Sequence, residues 1–232
     1  PVVINVHASK YLHYFISDTH YRNQFETGYS SGSTHLDSRR SWETRMFGSS
    51  YPKAVEHSER PKYGSVNFCN DPSGVALCSS YGASYILLKG NVRHRCSVTN
   101  MDSSSSGAAL GTLKHCLHVI ATFSDRELEG LISAARASEG ASTVQSTYKE
   151  VQIHGPVEFS KDIERFYLNK SEVTDRIKDQ ADQFKSKWGV DYEIIERKSA
   201  SPFPSGGGGG LFGAVSSAAS GLFGGIGSAA GG

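Results

Sequence analysis

Glu150, Gln152 and His154 alternate along Thr147–His154 (TYKEVQIH), so an extended chain places all three on one face and Val151 and Ile153 on the other. A carboxylate flanked by hydrogen-bonding groups on such a face can act as a base or stabilise an oxocarbenium-like transition state. A merely solvated strand face has the same pattern. His7, followed by Ala8 and Ser9, closes the β-branched run Val2–Val6. An imidazole and a hydroxyl at a strand end can bind a ribose or an amide, or can be satisfied structural groups. Arg39, Arg40 and Arg60 offer planar forks of donors to phosphate oxygens. Their weight comes from clustering with Trp42, Tyr63 and serine–glycine loops, whereas pairing with Glu26 and Glu43 is the structural alternative. Gly28, Gly32, Gly48 and Gly64 permit tight turns and close backbone approach.

The elements that must position these groups are partly written in the pattern. Val2–Val6 predicts a buried strand, and Tyr11–Tyr29 is helical at first. Arg39–Tyr63 lacks periodicity and predicts ordered loop with short helical turns. Gly64–Phe68, Ser84–Lys89 and Val92–Val98 predict strands, the last two joined through the turn signal Gly90–Asn91. Leu117–Phe123 suits a strand or the start of a helix. Ser124 and Glu127 form a capping box for a helix to about Ala137. After the half-buried strand Thr147–His154, Ser160 predicts a helix to about Leu168. Ser171 predicts another, with Val173, Ile177, Ala181, Phe184 and Trp188 on one apolar stripe before Gly189. Val190–Glu196 predicts a last strand. Together these give one α+β domain over residues 1–198, with six or seven strands in mixed or antiparallel sheets and flanking helices.

From Ser199 the composition changes. Pro202, Pro204 and Gly206–Gly210 form a linker to two eleven-residue copies, LFGAVSSAASG and LFGGIGSAAGG. The expectation for residues 199–232 is a disordered glycine-rich tail. Weak membrane contact or self-association through the Leu-Phe pairs is one alternative, and a partner-binding FG-type tail is another.

The 24 basic and 23 acidic residues nearly cancel, so no global field argues for nucleic acid or anionic membrane. No apolar run approaches the ~20 residues of a transmembrane helix. Cys69 and Cys78 flank the turn-like NDPSG and suit either a bridge across a hairpin or reduced thiols; with no CxxC pair, a cysteine-based zinc site is not expected, nor any other metal. The chain starts on Pro1, so a native amino terminus upstream is expected, and localisation stays open between cytoplasm and secretion. GxxxxGK[ST] and HExxH do not occur, which argues against the usual P-loop and zincin sites.

The ordered blocks QFETG, SSG, RRSWE, MFGSSY, RPKYGSVN, YGASYIL and EVQIHGPVEF resemble a mainly bacterial family catalogued only as a domain of unknown function. The resemblance runs from His7 to about Leu168. It departs at Tyr81-Gly82-Ala83, where that family has an F-G-S block preceded by arginine. A second resemblance is to the ADP-ribosyltransferase superfamily, which places a His on an early strand, a Tyr on a middle strand and a Glu on a late strand around the nicotinamide ribose of NAD+. It implies a split-sheet α+β fold with NAD+ as substrate. His7 and Ser9 would hold ribose and carboxamide, Tyr63 or Tyr81 would stack on nicotinamide, and Glu150 would orient the ribose as the glycosidic bond breaks. The pyrophosphate would fall to arginines such as Arg40 and Arg60. Trp42, Gly64, Gln152 and His154 complete the expected nucleotide-binding set, and a protein is an expected acceptor. Two other functions remain open from the residues: a hydrolase or lyase using Glu150 with His154 or His7, and a nucleotide- or protein-binding module built on Trp42–Tyr63.

Overall fold

A computed structural model describes residues 1–29, 35–137, 145 and 147–196. The expected SSGS loop (residues 30–33), Gly32 and the repeat tail therefore lie outside the described residues. Eight strands form one sheet: β1 (Val2–Val6), β2 (Lys62–Val66), β3 (Ser84–Leu88), β4 (Cys96–Thr99), β5 (Leu110–Thr112), β6 (Glu150–Ile153), β7 (Ile163–Asn169) and β8 (Asp191–Ile195). Their order across the sheet is β5-β4-β6-β2-β1-β3-β7-β8. Every ladder is antiparallel except β7 with β8. The expected α+β class with flanking helices is what the chain forms.

One face of the sheet is the core. Alternate residues Val2, Ile4 and Val6 of β1 join Ile86, Leu88, Val151, Ile153, Phe166 and Leu168 beneath two helices. These are α1 (Ala8–Ser17), which buries Ala8, Leu12 and Phe15, and α7 (Asp175–Trp188), which buries Ile177, Ala181 and Phe184. Burying each large apolar side chain is worth roughly 2 kcal/mol, so this stripe fixes both helices. Thr174 caps α7 and Gly189 ends it at φ 68°, the left-handed turn that glycine adopts without steric cost.

The opposite face carries the polar groups of β2 and β6, lies partly under α3 (Leu36–Phe47), and holds a smaller apolar cluster of Val3, Val75, Cys78 and Tyr85. The short helix α2 (Gln24–Thr27) precedes α3, and α4 (Leu117–Ile120) and α5 (Asp125–Arg136) precede β6. The Ser124–Glu127 capping box opens α5 as expected. The four-residue α6 (Phe159–Asp162) leads straight into β7.

Four local expectations are corrected. Arg39–Tyr63 is not mainly loop, because α3 occupies its first part. Gly90–Asn91 does not join a hairpin: it opens a 3₁₀ turn, Gly90–Arg95, after which the chain crosses from β3 to the other half of the sheet. Ile163–Leu168 is strand rather than helix. The strand around Glu150 is buried on both faces, not half-buried, because α3 and the loop after β4 cover its polar side. All four cysteines are free, so Cys69 and Cys78 are not bridged.

Candidate functional site

The register sets the polar face in rows. Val3 lies opposite Ser65, and Ser65 opposite Glu150, across β1, β2 and β6. In the next row Tyr63 faces Gln152, and Gln152 faces Ser97 on β4. Glu150 is 3% exposed. Its Oε1 accepts from Gln152 Nε2 at 2.9 Å, and its Oε2 accepts from the Ser103 N–H at 3.4 Å and the Tyr148 hydroxyl at 3.3 Å. Burial pushes the Glu150 carboxyl up from its ordinary range, while the Ser103 and Gln152 bonds and the positive charge of Arg39 pull it down. The carboxylate also pushes up the hydroxyls of Tyr63, Tyr81 and Tyr148, all three raised chiefly by burial.

Helix α3 carries RRSWE onto this face, where it meets RPKYG. The Arg39 guanidinium lies 4.1 Å from the ring centre of Tyr63 and 5.1 Å from that of Trp42. Arg39 has no carboxylate within ion-pair distance among the described residues, and its buried Nε has no hydrogen-bond partner there. One turn on, Glu43 is sealed in the protein and accepts from Arg60 Nη1 at 2.5 Å and from the Tyr63 hydroxyl at 3.3 Å. Arg60 also donates to the backbone oxygens of Tyr51 and Pro52 and lies over the Phe25 ring of QFETG. It is a structural keystone rather than a free phosphate clamp. Arg40 pairs with Asp37 at 2.9 Å. Gly64 lets β1 approach, since a Cβ there would sit 2.4 Å from the Val3 carbonyl oxygen.

His154 lies where β6 ends. Its Nδ1 bonds the Tyr51 hydroxyl, its Nε2 is 2.9 Å from Ser97 Oγ, and the Phe47 ring packs edge-on against it. MFGSSY is thus tied to EVQIHGPV. Burial, then the neighbouring Arg95 charge, lowers the His154 pKa and keeps its ring neutral. Tyr51 and His154 line an open cleft of about 730 Å³ together with Glu59, Arg95, Glu158 and Asp162.

His7 and Ser9 sit elsewhere, where β1 passes into α1, the helix that covers the core face. Ser9 Oγ donates to Glu172 Oε1 at 3.2 Å, His7 Nδ1 is 3.7 Å from the same oxygen, and Glu172 Oε2 accepts from the backbone and hydroxyl of Ser84. His7 lies four residues beyond Val3 along β1, so about 13 Å along the strands and two strand spacings (~10 Å) across separate it from Glu150. Tyr81-Gly82 spans this interval. Gly82, at φ 141°, lies so close to β1 that a Cβ would fall 1.9 Å from the Val6 carbonyl carbon. Its carbonyl accepts from Asn5 Nδ2 at 3.0 Å, and Asn5 Oδ1 is buried without a partner among the described residues.

The structure therefore brings Gln152 and Tyr148 onto Glu150 and Tyr63 and Tyr81 near it, with Trp42 reached only through Arg39 and His154 linked through Ser97 and Gln152. It leaves His7 and Ser9 at the far end with Glu172. Sequence reasoning missed Glu172, Ser97, Tyr51 and Tyr148. Only Tyr148 had a local signal, two residues before Glu150 on the same strand face. Ser103 Oγ, 1% exposed as a residue, joins Arg39 Nε and Asn5 Oδ1 as buried polar atoms without a protein partner among the described residues. Such atoms are rare in finished interiors and are expected where a ligand completes the hydrogen bonding. No cluster of three or more His, Cys, Asp or Glu among the described residues is arranged to hold a metal ion, and no described helix is long and apolar enough to cross a membrane.

No curated protein matches the chain. A family model does match, over residues 5–131, which runs from the end of β1 into α5, carries the QFETG, RRSWE, MFGSSY and RPKYG blocks, and stops before β6. The match covers more than half of the chain, which therefore belongs to the family described as protein of unknown function DUF3626.

Proposed function

We propose that this chain is an NAD+-consuming transferase or glycohydrolase that cleaves the nicotinamide–ribose bond. The observation that carries this reading is a nearly buried carboxylate, Glu150, held by three donors beside the Arg39 guanidinium, which has no ion pair among the described residues, and an aromatic group of Tyr63, Tyr81 and Tyr148. In the step itself the bond between ribose C1′ and the nicotinamide nitrogen breaks, its electron pair leaves on nicotinamide, and positive charge develops on the sugar. A preorganised carboxylate in a poorly hydrated site stabilises that charge. Water or an acceptor nucleophile then bonds to C1′ and loses its proton.

Arg39 takes the pyrophosphate, the role its neighbours Arg40 and Arg60 cannot fill while they are paired with Asp37 and Glu43. Tyr81 is the better stacking surface for nicotinamide, because Arg39 already covers the Tyr63 ring. Asn5 lies toward the far end of the same face and suits a more distant polar group of an extended dinucleotide, whereas His7 and Ser9 sit with Glu172 where β1 passes into α1. A Glu150–His154 acid–base pair is disfavoured: about 13 Å of strand separates them and both His154 nitrogens are engaged.

The Arg39–Trp42–Tyr63 stack favours a second reading, a nucleotide- or protein-binding module without catalysis. Nicotinamide release from NAD+, with and without cell extract as a source of acceptor, separates the two. Release that is weakened by Arg39→Ala supports the transferase or glycohydrolase. NAD+ binding without release under either condition supports the module.

A further inference from the structure

Four side chains connect the open cleft to Glu150, and their hydrogen bonds have a direction. Gln152 Nε2 donates to Glu150 Oε1 at 2.9 Å and to Thr99 Oγ1 at 3.2 Å. Flipping that amide would set its oxygen against a carboxylate, so its orientation is fixed by charge. Gln152 Oε1 then needs a donor, and Ser97 Oγ supplies it at 2.8 Å. With its one proton committed, Ser97 Oγ can only accept from His154 Nε2, at 2.9 Å. A neutral His154 carrying its proton on Nε2 has a bare Nδ1, which accepts from the Tyr51 hydroxyl. The reverse polarity would leave the oxygen of a fully buried Gln152 with no donor, which buried amide groups avoid.

We infer that Tyr51, His154, Ser97 and Gln152 form a one-way hydrogen-bonded train whose role is to hold the Glu150 carboxylate in a single orientation from the solvent side. They are positioning residues and touch no substrate. Gln152 and His154 thereby move from expected ligand contacts to supports, and Ser97 and Tyr51 join them. The train starts where Tyr51 and His154 face the cleft and ends at the buried Glu150 carboxylate. This role rests on the reading of Glu150 as the reacting carboxylate, but its test does not require turnover.

The groups that set the Glu150 titration come from several elements: Arg39 on α3, Tyr63 on β2, Tyr81, Tyr148, and Asp102 beside Ser103. Of the train, only Gln152 acts on Glu150 directly; Ser97 and Tyr51 are not among the groups that set its titration, so variants at those two positions reach Glu150 through the train. Around His154 the charged neighbours are Arg95, Glu59 and Asp162, also outside it.

The test is ring-nitrogen NMR of His154 and side-chain carboxyl titration of Glu150 in the full chain, for wild type, Ser97→Ala, Ser97→Thr and Tyr51→Phe. The expected wild-type signal at pH 7 is neutral His154 with its proton on Nε2. Ser97→Ala should abolish that preference and raise the Glu150 midpoint by about one pH unit, a tenfold change in proton affinity. Ser97→Thr should restore both, and Tyr51→Phe should weaken the tautomer preference alone. A proton found on Nδ1, or a Glu150 midpoint unchanged in Ser97→Ala, overturns the train. Should Ser97→Ala fail to fold, the wild-type tautomer and Tyr51→Phe decide by the same criteria. An intact train in a protein that never releases nicotinamide refutes the proposed reaction and leaves the train standing.

Discussion

Replacing Glu43 with Gln and Arg60 with Met, singly and together, tests whether the RRSWE and RPKYG blocks are locked by one buried pair. Glu43 and Arg60 are 1% and 2% exposed and meet at 2.5 Å. In Glu43→Gln the Arg60 cation keeps the Tyr51 and Pro52 oxygens and the Phe25 ring but loses its counter-charge. Stranding such a charge costs about 3–5 kcal/mol. In Arg60→Met the carboxyl is stranded instead. Burial already pushes the Glu43 carboxyl up even with Arg60 present, so without Arg60 it can take a proton, and that cost falls toward the lower end. The double variant leaves no buried charge from the pair, and its cost should fall short of the sum of the singles by roughly 2–3 kcal/mol. Urea unfolding at pH 7, read as midpoints at constant slope, measures all four species. Additivity within about 0.5 kcal/mol would refute the lock.

Three further outcomes follow from the same contacts. Although burial pushes it up, Glu127 is brought down to about 2 by its bonds to Lys149 (2.5 Å), Thr147 and Ser124. Its folded pKa lies below the unfolded value, so its stabilising effect is complete above about pH 4.5 and is lost as pH falls toward 2. Glu127→Gln should flatten the fall of the urea midpoint between pH 5 and 3, and an unchanged slope would count against the bonds. Gly82→Ala places a Cβ 1.9 Å from backbone and should cost about 3 kcal/mol or more. Gly90→Ala, with open space around it, should stay within about 0.5 kcal/mol. Equal melting temperatures for the two would show that β1 does not depend on the Gly82 approach.

The apolar periodicities made the core face legible: Val2–Val6, the stripe of α7 and the capped α5 all form as the pattern requires. Helix α3 escaped because its buried side is polar. Glu43, Arg39 and Trp42 make its contacts, so no apolar stripe marks it as a helix. Gly90–Asn91 misled because a turn signal is local, whereas the choice between a hairpin and a crossover depends on which distant strand offers an edge. β7 was hidden by Ser160, which looked like a helix cap, and by an irregular register with β3 that blurs its alternation. At the site, Glu150 and Tyr63 could be paired by strand period and motif order. Glu172 could not be matched to His7, and Ser97 could not be matched to His154, because only the sheet order brings those pairs together.

The most direct test of the central claim is single-turnover nicotinamide release from NAD+ with protein in excess, comparing wild type with Glu150→Gln. Gln keeps the volume and the hydrogen-bond acceptor but removes the charge, so NAD+ binding should persist. Release should slow by about a hundredfold or more, the scale for deleting one preorganised electrostatic contact. The wild-type rate should also decline on the acid side as the Glu150 carboxylate, raised by burial, takes up its proton. Equal rates from the two proteins, or no release from wild type with acceptor extract present, would contradict the assignment of Glu150 as the reacting carboxylate.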